Sequence, residues 1–278
     1  METSKTDNSL IHIYNEAANS FLDNIDLCLD LDEDHIHKLR VGIKNLRAIL
    51  ILVKTIKGKE FRKKKISALI SKIFKPTGEL RNIQIESLIL DQYDLKVTQI
   101  YIKHLAEIRK KKGLNAKTAL IEFNKNNFNF KNEKAKQIIK KLNNEDLDLG
   151  IKKLISNEFK KIIQIRNKLK DIKAFHEIRK HLKVLKSVLK IKLVVNQDEA
   201  TEVLLNLINA TETLIGDWHD KVLLIDSVTQ FIENNINETN IYLLENLVEK
   251  IKIENSDVIE KIALNLDEIF HENILSGK

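Results

Sequence analysis

The sequence predicts an all-α protein built from two related halves, and three observations lead to that prediction. One proline and seven glycines in 278 residues leave little of the turn chemistry that a many-stranded sheet requires. Apolar residues recur at helical spacing in nearly every window of the chain. A pattern of paired apolar and basic residues occurs twice, half a chain length apart. We therefore expect two helical bundles that arose by internal duplication.

The first copy of this pattern lies within residues 34–57. Its apolar residues recur at steps of three and four, which is the spacing of a buried helical stripe. They are Ile36, Leu39, Ile43, Leu46, Leu50 and Val53. The basic residues, which we call the first row, are His37, Arg40, Lys44, Arg47 and Lys54. Because an offset of one residue is about 100° of rotation on an α-helix, the first row flanks the stripe and would line a groove between packed helices.

The second copy begins 139 residues later. Its apolar residues, at the same helical spacing, are Phe175, Ile178, Leu182, Leu185 and Leu189. Its basic residues, the second row, are His176, Arg179, Lys183, Lys186 and Lys190. A glycine-containing element follows each row, with Gly78 and Arg81 in the first half and Gly216 and His219 in the second. This matched order predicts that the two halves share one plan.

The first half is expected to form four long helices and a weaker fifth region. Asp32 or Asp34 would cap the second helix, and Gly58 would end it. Pro76 disfavours helical geometry at the residue before it and would end the third helix. Gly113 would end the fourth helix. The expected ranges are 8–29, 34–56, 60–74 and 79–112, with one or two short helices within 114–144.

The second half is expected to repeat this order and to end in two further helices. The expected ranges are 148–170, 172–194, 198–214, 216–236, 238–252 and 256–273. The last two correspond to positions near 100–135 of the first half. We therefore expect a single domain over residues 1–278, made of two pseudo-symmetric four-helix bundles at 1–140 and 145–278, each with additional C-terminal helices.

Charge is unevenly distributed along the chain, although the net charge is only +7. Residues 51–200 carry 37 Lys and Arg against 16 Asp and Glu, a net charge of +21. Residues 201–278 carry five Lys against 15 Asp and Glu, a net charge of −10. Such a distribution favours a polyanionic partner that binds on one face. Solvation alone is the ordinary interpretation of any single surface lysine, but it explains the matched rows less well.

Other features of the sequence concern the compartment and the membrane. The single cysteine, Cys28, excludes an intramolecular disulfide and suits a reducing compartment. The N-terminus lacks a basic segment followed by an apolar run, and no apolar run is long enough to span a bilayer. We therefore expect a cytoplasmic protein without membrane insertion.

Candidate catalytic and metal-binding patterns fail on spacing. His176 and His181 are five residues apart, so they do not stack on one helical face as zinc-protease ligands do. His35 and His37 lack a third ligand nearby. The sequence contains no phosphate-binding glycine loop and no nucleophile elbow. We therefore expect a binding protein with no enzymatic activity, no metal and no cofactor.

The rows and the glycine elements resemble the CHAD family, the conserved histidine α-helical domain. Its members carry H-x-x-R-V-x-x-[RK]-[RK]-L-R followed by L-G-x-x-R-D-x-x-V, and both elements recur in the second half. The matching residues of the first half are His37, Arg40, Val41, Lys44, Leu46, Arg47, Gly78 and Arg81. Those of the second half are His176, Arg179, Lys183, Leu185, Lys186, Gly216 and Asp220. The sequence departs from the family pattern at Asn45, Thr77, Asn82, Ile215 and His219.

The resemblance implies two four-helix bundles related by a pseudo-two-fold axis, with a basic surface around a central cleft or pore. It also implies binding of inorganic polyphosphate by a stand-alone protein, and association with polyphosphate granules. The chain lacks the E-x-E-x-K segment of the triphosphate hydrolases to which many members are fused. The alternative function is an interaction module for nucleic acid or another polyanion.

The residues expected to bind polyphosphate come from both rows, the third helix and the glycine elements. Arginine offers phosphate a planar fork of donors, while lysine acts as a point charge. Four of the seven arginines lie in the repeated motifs, which indicates specific placement. The leading histidine of each row would donate to phosphate when protonated, although a packing role is equally supported. The expected set is His37, Arg40, Lys44, Arg47, Lys54, Lys72, Lys75, Arg81, His176, Arg179, Lys183, Lys186, Lys190 and His219.

Overall fold

The computed structural model describes residues 9–166, 172–236 and 240–276. Within these ranges all regular structure is helical, which confirms the predicted fold class. The α-helices are α1 (Ser9–Leu27), α2 (Glu33–Lys57), α3 (Lys63–Leu90), α4 (Leu95–Ile121), α5 (Lys125–Ile139), α6 (Asn144–Arg166), α7 (Ile172–Val195), α8 (Glu199–Asn234), α9 (Ile241–Ser256) and α10 (Val258–Ser276). No helix in the described part of the chain is both long and apolar enough to cross a lipid bilayer.

Helix α2 is the central element of the first half. The Asp32 carboxylate caps its start by accepting the backbone N–H groups of Asp34 and His35 at 2.9 and 3.1 Å. Gly58 ends it with a positive φ of 52°. All six residues of the predicted apolar stripe are fully buried, which confirms the helical register. Because α2 packs against α1, α3, α6 and α7, its first row lies among other helices.

Helix α7 has the corresponding place in the second half. Its predicted apolar stripe is buried from Phe175 to Leu189, and it packs against α6, α8 and α2. Each half therefore has a core around the helix that carries its row. Helix α6 joins these cores, since Leu154 packs in the first and Phe159 in the second. A third apolar cluster joins the C-terminal parts of α3 and α8 to α4 and α9.

Two predicted helix ends are wrong, because the helices continue through them. Helix α3 runs through Pro76, and α8 runs through Gly216. Pro76 removes one backbone donor from α3. In the same turn the Thr77 hydroxyl donates to the Ile73 carbonyl oxygen at 2.8 Å. Burial of Ile73 and Leu80 on either side of the proline outweighs its local preference.

The predicted helix 79–112 is also wrong as a single element. The chain turns at residues 91–94, and the Asp94 carboxylate caps α4 by accepting the Lys96 N–H at 2.8 Å. Helix α4 then packs back along α3. Gly113 lies buried inside α4 instead of ending it. Three other predicted helix ends lie outside the described residues, at Asn8, Lys170 and Glu238.

The order of elements is compatible with two related halves. Helices α1, α2 and α3 correspond to α6, α7 and α8. In each set the helices become longer along the chain, the second helix carries the row and the third carries the motif glycine. The duplication itself and the division into bundles at 1–140 and 145–278 stay predictions.

Candidate functional site

In each half, an arginine of the row lies against the glycine of the following helix. A Cβ atom built on Gly78 would lie 2.7 Å from Arg40 Nη1. A Cβ atom built on Gly216 would lie 2.5 Å from Arg179 Nη2. Because side chains do not tolerate such distances, only glycine allows each guanidinium to lie this close to the helix. The glycine of the repeated motif therefore provides space for the arginine of the row.

Phe74 of α3 holds the two arginines of the first row. The guanidinium carbons of Arg40 and Arg47 lie 4.2 and 4.1 Å from the centroid of its ring. Arg40 Nη1 donates to the Phe74 carbonyl oxygen at 2.7 Å, and Arg47 Nη2 donates to Ser71 Oγ at 2.9 Å. Neither arginine has a carboxylate partner among the described residues. Their remaining N–H groups are therefore available to an anion.

The two rows meet where α2 packs against α7. Burial lowers the pKa of Lys44, and the charges of Arg40 on its own helix and Arg179 on α7 lower it further. Burial also lowers the pKa of Lys183 to about 8, with the charges of Arg179 and Lys44 adding to the effect. The cations of the two helices thus repel one another where α2 packs against α7. We call this group the basic seam, formed by Arg40, Lys44, Arg47, Arg179, Lys183 and Lys186.

The carboxylate of Glu212 on α8 lies within the basic seam. Its Oε1 atom is 3.3 Å from Arg179 Nε and 3.6 Å from Lys183 Nζ. Its Oε2 atom is 3.4 Å from Lys186 Nζ. Although burial raises the pKa of Glu212, these three cations lower it below its usual value, so the carboxylate is ionised. Arg179 Nη1 also lies 3.9 Å from Asp220 Oδ1.

The three predicted histidines all have lowered pKa values in the free protein, which favours their neutral form. Burial is the main cause that lowers the pKa of His37, and the charge of Arg81 is the second. Burial is also the main cause for His176, and the charge of Lys180 is the second. The ring of His219 lies 5.1 Å from that of His176, and burial lowers its pKa to about 4. A neutral imidazole keeps one N–H donor, so these residues can bind phosphate without adding charge.

Arg81 lies at the same end of the first row as His37. Its Nη1 atom donates to Gln84 Oε1 at 3.3 Å and lies 4.0 Å from Glu33 Oε2. Glu33 also pairs with Arg109, whose Nη2 atom is 3.0 Å from Oε1. Arg81 therefore has partners of its own, and its charge also acts on Arg40 of the basic seam.

Four other predicted residues are not among those that form the basic seam. The Lys54 ammonium donates to the Gly58 and Phe61 carbonyl oxygens at 2.6 and 3.2 Å, so it stabilises the end of α2. Lys190 lines a groove between α1, α2 and α7. Lys72 and Lys75 are exposed on α3. Contact with a ligand stays a prediction for all four.

Sequence reasoning missed three residues beside the rows. Phe74 and Glu212 each lie four residues before a motif glycine, on the same face of their helix. That spacing was the available signal for both. Lys63 was also missed, although burial and the charge of Arg47 lower its pKa at the end of the first row.

Residues 12–229 of the chain match the family model of the CHAD domain. This match covers well over half of the sequence. The chain belongs to the CHAD family. The crystal structure of the CHAD domain from the plant Ricinus communis is similar, with a TM-score of 0.69 over 93% of this chain and 90% of that chain. The two are 14% identical in sequence, so this likeness shows the CHAD fold alone. A comparison with curated proteins gives no match.

The CHAD match contains both arginine–glycine contacts and the whole basic seam. It ends at residue 229, within α8, so α9 and α10 lie beyond it. The basic seam is thus part of the region that this chain shares with the CHAD family.

Proposed function

We propose that this CHAD protein binds inorganic polyphosphate along the basic seam. The observation that carries the proposal is a group of half-buried cations, held by two packed helices, whose charges lower one another's pKa. Burial, and next the charges of Arg47 and Arg81, lowers the pKa of Arg40 to about 10. Since cations that lie close together repel one another, a bound polyanion would stabilise the charged forms of these side chains. Polyphosphate binding by some CHAD members supports the same ligand.

Polyphosphate suits the basic seam because it is a flexible polymer whose charged groups follow one another without interruption. Arg40 and Arg47 are held on Phe74 by contacts that leave donors free. Lys44 has no hydrogen-bond or ion-pair partner within the described ranges. Phosphate oxygens would supply the charge-assisted hydrogen bonds that these cations lack.

The basic seam offers little to the bases of nucleic acid. Single-stranded nucleic acids are commonly bound by exposed aromatic rings on which the bases stack. Trp218 and Phe128 lie in the core, with 4% and 0% of their surface exposed. The Phe74 ring is in contact with Arg40 and Arg47. These observations favour polyphosphate, and nucleic acid is the competitor in the test.

The proposed function is tested by titrating the protein with long-chain polyphosphate at several salt concentrations. We expect a log–log slope of the association constant against salt of about −3 to −4, because about five net cations would release counterions at about 0.7 each. Polyphosphate should displace single-stranded DNA of equal charge far more readily than DNA displaces polyphosphate. A slope near zero, or equal displacement in both directions, would contradict the proposal.

We also propose that the protein holds polyphosphate without hydrolysing it, and that it associates with polyphosphate granules for that reason. Glu212 is paired with three cations of the basic seam, which leaves its oxygens unsuited to bind a metal ion or to take a proton. In the described part of the chain, no group of three or more His, Cys, Asp or Glu side chains could hold a metal ion.

A further inference from the structure

The two halves differ in the residue that lies one helical turn before each motif glycine. Phe74 and Glu212 are 138 residues apart, and each lies four residues before its motif glycine. In the first half, Arg40 and Arg47 meet the neutral ring of Phe74. In the second half, the cations of the row meet the charged carboxylate of Glu212. The first row is therefore open to an anion, while the second row already holds one.

The contacts of Glu212 are those that a phosphate group would make. Its two oxygens lie 3.3 to 3.6 Å from three cationic nitrogens of the second row. Its side chain is only 12% exposed, so solvent screens these pairs weakly. Carboxylate and phosphate oxygens accept the same charge-assisted hydrogen bonds from arginine and lysine. A phosphate group can therefore reach all three cations only where Glu212 moves away.

We propose that Glu212 is an internal competitor of phosphate, which makes the protein select long polyphosphate chains over short ones. This inference rests on the proposed binding of polyphosphate to the basic seam. A short chain binds the first row and cannot displace Glu212 from the second. A long chain held on the first row presents its further phosphates to the second row at high effective concentration, and so displaces the carboxylate.

A purely structural role for Glu212 makes a different prediction. If Glu212 only neutralised three half-buried cations, its removal would lower stability and leave ligand selection unchanged. Affinity and stoichiometry for short and long ligands therefore separate the two roles. Thermal stability alone does not.

The test uses calorimetry on the full chain with tripolyphosphate and with long-chain polyphosphate. Glu212→Gln should bind long chains about tenfold more tightly, which corresponds to about 1.4 kcal/mol. It should also bind two tripolyphosphate ions per chain where the unchanged protein binds one. The matched control is Asp226→Asn, which removes the same charge from an exposed position on α8, about 21 Å along the helix from Glu212.

A reciprocal variant keeps the test decisive if Glu212→Gln folds poorly. Phe74→Glu places a carboxylate between Arg40 and Arg47, and Phe74→Gln is its neutral control. We expect the glutamate variant to bind tripolyphosphate at least tenfold more weakly than the glutamine variant. The glutamate adds a negative charge to the first row, and this charge repels phosphate. Equal affinities of these two variants would overturn the proposal.

The outcomes also separate this inference from the proposed function. If Glu212→Gln and Asp226→Asn bind both ligands alike, Glu212 is not a competitor, while polyphosphate binding itself stands. If neither the unchanged protein nor Glu212→Gln binds polyphosphate, both proposals are wrong.

Discussion

The electrostatics of the basic seam have a measurable consequence at a single residue, Lys183. Burial lowers its pKa to about 8, the charges of Arg179 and Lys44 act in the same direction, and Glu212 opposes them. A bound polyanion would raise that pKa again, because an opposite charge favours the protonated amine. Binding therefore takes up a proton wherever Lys183 of the free protein is partly deprotonated.

Polyphosphate affinity should consequently fall as the pH rises through about 8. Below that pKa, Lys183 is charged in both the free and the bound protein, and affinity has its full value. Above it, each further pH unit weakens binding by up to about tenfold until the pKa of the bound state is passed. Calorimetric titrations from about pH 7 to 9, in buffers of different ionisation enthalpy, measure both the affinity and the proton uptake.

The matched control for this prediction is Lys183→Arg. Arginine keeps its charge over the whole pH range, so this variant should lose the fall in affinity and the proton uptake near pH 8 that come from Lys183. The same pH dependence in both proteins would assign the titration to another group.

Single residues also show what the sequence could and could not predict. The half-buried cations were predictable because a one-residue offset from a buried stripe fixes their place on their own helix. Phe74 and Glu212 were not predicted, because that offset does not say which residue of the next helix faces the row. Burial also lowers the pKa of His37 and of His176 in the free protein, which the position of each histidine at the start of its row did not predict.

At the scale of elements, helices α3 and α8 bring their glycines against the arginines of α2 and α7. A Cβ atom on Gly78 would lie 2.7 Å from Arg40 Nη1, and this nitrogen is at the far end of a flexible side chain. Arg40 can therefore move aside, at the loss of its hydrogen bond to Phe74. That loss lowers the free energy of unfolding by about 1 kcal/mol. Alanine in place of glycine within a helix raises it by about 1 kcal/mol.

Gly78→Ala should therefore melt within a few degrees of the unchanged protein and yet bind polyphosphate several-fold more weakly. Its control is Gly42→Ala in α2, where the nearest atom to the added Cβ would be 3.8 Å away. We expect Gly42→Ala to be slightly more stable, by up to about 1 kcal/mol, with unchanged binding. Thermal melts and calorimetry together measure these effects. Unchanged binding in Gly78→Ala would show that the position of Arg40 does not matter for the ligand.

The elements themselves were predictable where burial and local preference agree. The stripes of α2 and α7 were correctly predicted because their period sets a buried face. The end at Pro76 was wrong because packing and the Thr77 hydroxyl keep α3 continuous. The turn at residues 91–94 was missed because it contains no glycine or proline. Long-range packing of α4 on α3 places that turn.

At the scale of the whole molecule, the packing of α2 against α7 turns two separate rows into one basic seam. The charge of Lys44 lowers the pKa of Lys183, and the charges of Arg179 and Lys186 lower the pKa of Lys44 across this contact. One polymer can therefore touch cations of both halves at once. Two independent sites on opposite faces would not show this mutual effect.

Neutralising part of the second row distinguishes one shared site from two separate sites. In Lys183→Gln/Lys186→Gln, Arg179 remains to pair with Glu212, so no carboxylate is left without a cation. A shared seam predicts that affinity for long chains falls by about tenfold or more, since two phosphate contacts are lost. Tripolyphosphate should keep most of its weaker binding through the first row, and the difference between long and short ligands should shrink. The control, Lys111→Gln/Lys117→Gln, removes equal charge from exposed positions of α4 and should cost much less. Calorimetry that shows half the stoichiometry for long chains, with unchanged affinity at the remaining site, would mean that each row binds its own polymer.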